Sequence, residues 1–165
     1  MPSSLIKLFN EIAFFIASGF YSGKTPKSPG TAGSLLCIVI WFLNRDFLKL
    51  DELTLIIGTI LLGLLTSQIS LHNLRKKDLT TTDPQTIVID EWAGMLIALY
   101  AIPTPTIFWV ITAFILFRFF DILKLGPIRW SEKLPDSIGI MADDIVAGLF
   151  SALTILLLKY ILNFL

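Results

Sequence analysis

Five carboxylates stand at the ends of otherwise apolar stretches: Asp90 and Glu91, Asp121, and the adjacent Asp143 and Asp144. An ionised acid beside hydrocarbon is costly, so such residues usually face a cavity, a partner or a metal. Arg118 precedes Asp121 by three positions, which on a helix places the two charges on one face. All five acids offer oxygen ligands, the type preferred by a hard divalent cation such as Mg²⁺. Coordination would also offset the cost of desolvating them. A competing explanation is that Asp90, Glu91, Asp143 and Asp144 only complement helix N-termini, worth about 0.3–1 kcal/mol each. Asp121 fits that explanation poorly, because it lies near the C-terminal end of its apolar stretch. His72 is the only histidine, which excludes a multi-histidine zinc centre, and the lone Cys37 lies in an apolar run that suits packing.

Two other groups could handle an anion. In Ser28-Pro29-Gly30-Thr31-Ala32-Gly33-Ser34, Gly30 and Gly33 would let backbone N–H groups approach a phosphate. Thr31 and Ser34 could donate to it, or could simply cap the helix that follows. No Gly-Lys-Ser/Thr succeeds this segment, so it is not a Walker A loop. Arg118, Lys124, Arg129 and Lys133 are the basic residues near Asp121. They could attract anionic headgroups at about 1 kcal/mol per charge or bind one phosphate directly. Arg118 could grip phosphate with its guanidinium fork, or pair with Asp121 instead. The chain has no Cys-x5-Arg, no Asp-x-Asp-x-Thr and no second histidine. A phosphatase built from it must work through carboxylates and metal.

The elements that position these groups are membrane helices. Of 165 residues, 55% are hydrophobic and 16% charged, with a mean hydropathy of +0.78. A soluble domain of this size is more polar. Apolar segments at 31–43, 53–71, 87–102, 106–123 and 139–162 approach the roughly 20 residues that cross about 30 Å of hydrocarbon. The stretch 3–19 has its apolar residues on one helical face, as in an amphipathic or half-inserted helix. Segments 21–33, 44–52, 73–85 and 124–137 are expected as loops or turns, and Pro103-Thr104-Pro105 as a tight turn. The start lacks a basic region and a small-residue cleavage site, so no removable signal peptide is expected. The balance of 13 basic and 13 acidic residues gives no sign of a nucleic-acid partner. The expectation is one all-α, polytopic membrane bundle over residues 1–165.

Following five crossings in order places every acidic cluster and the Gly30 segment at one membrane surface. That surface also carries Lys24, Lys27, Arg75, Lys76, Lys77, Arg118, Lys124, Arg129 and Lys133, whereas Arg45, Lys49 and Lys159 lie towards the other. By the positive-inside rule the acidic surface is cytoplasmic.

Four motif blocks carry a resemblance. They are Gly23-x-x-Pro26-x-x-Pro29-Gly30-Thr31-x-Gly33-Ser34-Leu35, Asp83-x-x-x-Ile87-Val88-x-Asp90-Glu91-x-x-Gly94, Phe117-Arg118-x-x-Asp121-x-x-Lys124-x-x-Pro127-Ile128 and Gly139-Ile140-Met141-x-Asp143-Asp144-Ile145-x-Ala147-Gly148. In this order they resemble the phosphatidylglycerophosphatase A family. The resemblance implies a Mg²⁺-dependent enzyme of the bacterial inner membrane that hydrolyses phosphatidylglycerophosphate to phosphatidylglycerol and inorganic phosphate. It places the acidic motif residues at Asp90, Glu91, Asp121, Asp143 and Asp144, with Asp83 as an addition. Either a metal-activated water or a carboxylate nucleophile would serve. The rival class is a cation- or proton-coupled transporter, which also buries acids, and a third is a lipid-binding scaffold without catalysis.

Overall fold

The computed structural model describes residues 3–75 and 85–162, so Lys76, Lys77 and Asp83 lie outside the described residues. Within them all regular structure is helical. Helix α1 (Ser3–Ala17) and a 3₁₀ turn (Ser22–Lys24) lead into α2 (Pro29–Leu43). Then come α3 (Glu52–Arg75), α4 (Ile89–Tyr100), α5 (Ile107–Leu123), the short α6 (Pro127–Ser131) and α7 (Asp136–Leu162).

Among the described residues, three units are long and apolar enough to cross a membrane: Pro29–Leu48, Glu52–Arg75 and Asp136–Leu162. The first reaches 20 residues only because α2 runs on through a π-helical turn, Asn44–Leu48. The polar turn expected at 44–52 is therefore partly helix. Its cause is the buried Asn44, whose Nδ2 donates to the Leu50 carbonyl at 3.0 Å. The Leu50 N–H donates back to Asn44 Oδ1 at 3.2 Å. This reciprocal pair satisfies both backbone groups of Leu50, just past the end of the helical turn. Helix α1, at 15 residues, is about 22 Å long and too short to cross. It packs against α3 with Ala13 and Ala17 buried, while Leu5, Leu8, Phe9 and Ile12 face outwards.

Full-length crossings for 87–102 and 106–123 do not materialise. Helix α4 has 12 residues, about 18 Å, and α5 has 17, about 25 Å. Nine of the twelve α4 residues are buried, because α2, α3, α5 and α7 surround it. A helix shielded by its neighbours need not match the bilayer thickness itself. Its tightest neighbour is α7. A Cβ on Gly148 would overlap the Gly94 backbone, and one on Gly94 would overlap the Asp144 carbonyl. Small residues at both positions let the two backbones touch, the usual device for helix association in lipid.

The end-to-end order of the helices survives the shorter α4 and α5. At one end of the bundle Arg75 meets Asp136 at 2.6 Å and Lys124 meets Asp143 at 2.8 Å. At the other, Arg45 pairs with Glu52 and donates to the Pro103 carbonyl at 2.8 Å, and Lys159 donates to the Ala101 carbonyl at 2.9 Å. Polar groups collect at the two ends, and the apolar cluster around Met95, Leu99, Phe117 and Ile155 fills the space between.

Candidate active site

Helix α4 starts at Ile89, after Val88 as its cap residue, so Asp90 and Glu91 occupy its first turn. The helix dipole favours negative charge there. The same account fails for α7. That helix begins at Asp136, two turns before Asp143 and Asp144, beyond the reach of its N-terminal dipole. Both are nevertheless buried. Their position needs another cause, and the partners supply one.

Carboxylate oxygens of Asp90, Glu91 and Asp144 all lie within 4.8 Å of one another. Asp121 and Asp143 flank this group, each tied to a cation. Arg118 reaches Asp121 Oδ2 at 2.6 Å, one helical turn along α5, and stands 3.9 Å from Glu91 Oε1. Lys124 Nζ donates to Asp143 Oδ2 at 2.8 Å and to Glu132 Oε1 at 2.9 Å. Of the two roles open to Arg118, pairing with Asp121 is the one present here. Its Nε remains buried without an acceptor.

Gly30 closes the group from the side of α2. A Cβ at that position would overlap Glu91 Oε1 and come within 2.8 Å and 3.0 Å of the two terminal guanidinium nitrogens of Arg118. Only a residue without a side chain admits both groups. The remaining glycine-segment residues take other parts. Helix α2 begins at Pro29, preceded by Ser28, so Thr31 and Ser34 are not its caps. Proline suits that first position, because its φ is already helical and its missing N–H is not needed there. Ser34 spends its hydroxyl on the Gly30 carbonyl at 2.8 Å, and Gly33 packs on Val88. Thr31 is half-buried in the first turn. Arg129 is exposed on α6 and forms no ion pair among the described residues.

Five carboxylates face two cations, Arg118 and Lys124, so the fully ionised cluster carries an excess of three negative charges. Glu91 Oε2 and Asp144 Oδ1 are buried with no hydrogen-bond partner. Leaving such oxygens unsatisfied costs about 1–3 kcal/mol each, more when they are charged. An all-oxygen donor set with surplus negative charge and unsatisfied lone pairs fits a hard divalent cation. The 670 Å³ cavity between α1 and α3, lined by Lys7, Phe14, Tyr21, Lys24 and Ser70, is a separate feature.

Sequence reasoning missed Glu132 as the second partner of Lys124. The only signal was its place in the basic loop eight residues on, and nothing in that spacing predicts the short α6 that brings it back.

Comparisons with known proteins bear on the family of the whole chain. The family model of phosphatidylglycerophosphatase A matches residues 15–159. Phosphatidylglycerophosphatase A of Escherichia coli is 41% identical over 138 residues, covering 83% of this chain and 77% of that protein. Phosphatidylglycerophosphatase A of Haemophilus influenzae is 36% identical over 166 residues, covering 96% and 95%. A Bacteroides thetaiotaomicron relative that carries a provisional phosphatidylinositol-3-phosphatase name is 34% identical over 150 residues, covering 90% and 94%. No solved structure matches the chain. Four motif blocks, an all-helical membrane bundle with clustered carboxylates, and a match over nearly the whole length place the chain in the phosphatidylglycerophosphatase A family of phosphatases.

Proposed function

We propose that this protein is a Mg²⁺-dependent lipid phosphatase that converts phosphatidylglycerophosphate to phosphatidylglycerol and inorganic phosphate. Its site lies at the cytoplasmic face of a bacterial inner membrane. The observation that carries the proposal is the convergence of Asp90, Glu91 and Asp144 within 4.8 Å, in a chain of this family. The ligand set contracts in this proposal to those three residues, with Asp121 and Asp143 as flanking acids held by cations.

In the reaction, water adds to phosphorus, the ester P–O bond breaks and the glycerol oxygen takes up a proton. Asp90, Glu91 and Asp144 would hold Mg²⁺, which when bound would supply Lewis-acid polarisation of the phosphoryl group and a lowered pKa for the attacking water. The chain supplies the rest. Arg118, held by Asp121, presents a guanidinium beside Glu91 to the non-bridging phosphoryl oxygens. Lys124 presents its ammonium from the α7 side. Burial works against the Lys124 charge, but the bonds to Asp143 and Glu132 outweigh it and raise its pKa above the ordinary lysine range. It therefore stays protonated during catalysis. Gly30 keeps the wall of the site thin where Glu91 and Arg118 meet.

The basic residues expected at the acidic end of the bundle support a cytoplasmic side, where a lipid made on the inner leaflet would present its phosphate. Purified protein should release phosphate from phosphatidylglycerophosphate, lose the activity in EDTA and regain it with Mg²⁺. Turnover that ignores the chelator would remove the metal from the mechanism. Absence of turnover with Mg²⁺ present would remove the substrate.

A further inference from the structure

A three-residue chain of charge links Lys124 at the end of α5 and Glu132 after α6 to Asp143 on α7. Glu132, Lys124 and Asp143 are joined by bonds of 2.9 Å and 2.8 Å through one ammonium group. Their side-chain exposures fall from 43% to 26% to 8%, so the chain runs inwards from the surface to the neighbour of Asp144. Lys124 caps α5 in the left-handed region, with φ 45°. Lysine is a costly choice where glycine is usual, and such strain persists only where surrounding contacts fix it.

The local fold is built to deliver Glu132. Pro127 starts α6, buried Ile128 anchors it, and α6 packs on α7. Ser131 Oγ donates to the Ile128 carbonyl at 2.8 Å, and the Glu132 N–H donates to the same carbonyl at 3.2 Å. The chain thus turns back within eight residues to put a carboxylate on Lys124.

We propose that Glu132 is a positioning residue: it holds the Lys124 ammonium so that one N–H points into the site for a substrate phosphoryl oxygen. An ammonium has three N–H donors. Glu132 and Asp143 take two in fixed directions, which fixes the third. Without Glu132 the flexible lysine stem turns freely about its single remaining bond to Asp143. This inference rests on the phosphatase function proposed above.

A double-mutant cycle on phosphatidylglycerophosphate hydrolysis tests it, using the full-length protein in mixed micelles. Glu132→Gln should lower kcat/KM about fivefold, chiefly through KM, as expected for one partly exposed charged hydrogen bond. Glu132→Asp should recover part of the loss. In a Lys124→Ala background, Glu132→Gln should cost nothing further. A second readout needs no turnover: acetylation by acetic anhydride, followed by mass spectrometry. Lys124 should react several-fold faster in Glu132→Gln than in the wild type, with exposed Lys27 unchanged. Equal losses in both backgrounds would mean that Glu132 acts on the fold and not through Lys124, and would overturn the proposal. So would unchanged Lys124 acetylation. If the wild type fails to hydrolyse the lipid, the functional assignment fails, and the acetylation result alone decides the role of Glu132.

Discussion

Substituting Gly30 by alanine tests the geometry of the site with a single methyl group. The new Cβ would overlap Glu91 Oε1 and stand 2.8 Å and 3.0 Å from the Arg118 nitrogens. Ordinary van der Waals contact begins near 3.4 Å, so both groups must retreat. Neither can do so freely. Glu91 belongs to the three-carboxylate group, and Arg118 is tied to Asp121 at 2.6 Å. Crowding of this kind costs about 1–3 kcal/mol, partly offset by about 1 kcal/mol from the better helix propensity of alanine in α2. Net destabilisation should therefore stay at roughly 2 kcal/mol or less, and the protein should fold. Activity should suffer more, because moving a catalytic group by about 1 Å can cost on the order of 100-fold. The assay is phosphate release from phosphatidylglycerophosphate over a Mg²⁺ titration, alongside thermal unfolding in detergent. Gly58→Ala serves as the control, since nothing lies within 4 Å of its Cβ position. A Gly30→Ala protein with wild-type kcat/KM and an unchanged Mg²⁺ requirement would refute the close packing of α2 against Glu91 and Arg118.

Two further substitutions probe other parts of the account. Arg118→Lys keeps the charge but loses the planar fork, and should lower kcat/KM by about 10–100-fold while the unfolding temperature changes little; equal activity would show that charge alone suffices. Gly148→Ala would drive a methyl group into the Gly94 backbone, and should destabilise the protein by about 1–3 kcal/mol by forcing α7 off α4, read as a lower unfolding temperature; unchanged stability would contradict the backbone contact between these helices.

Much of this arrangement is legible in the residues, for physical reasons. Acids inside apolar stretches mark positions whose cost must be met by partners, and the crossing order puts Asp90, Glu91, Asp121, Asp143 and Asp144 at one end. Contacts from Arg75 to Asp136 and from Lys124 to Asp143 bear that out. Helix length is less legible. Hydropathy treats 87–102 as a crossing, although the burial of α4 by four neighbours frees it from the bilayer thickness. The extent of α2 depends on the Asn44 side chain, whose bonds to Leu50 emerge only once the chain has turned. The roles of Ser34 and Thr31 were open in the sequence because capping and anion binding use the same residue types; the start at Pro29 removes them from the cap. Glu132 was invisible because its partner is reached through tertiary packing of α6 on α7.

The central claim is that Asp90, Glu91 and Asp144 together hold a divalent cation. Titration of the metal-free protein with Mn²⁺, an EPR-visible stand-in for Mg²⁺, tests it without reference to turnover. The wild type should bind Mn²⁺ saturably and release it to excess Mg²⁺. Asp144→Asn, with its fold verified by thermal unfolding, should bind at least tenfold more weakly, about 1.4 kcal/mol. Equal Mn²⁺ affinity in the wild type and Asp144→Asn would contradict the claim.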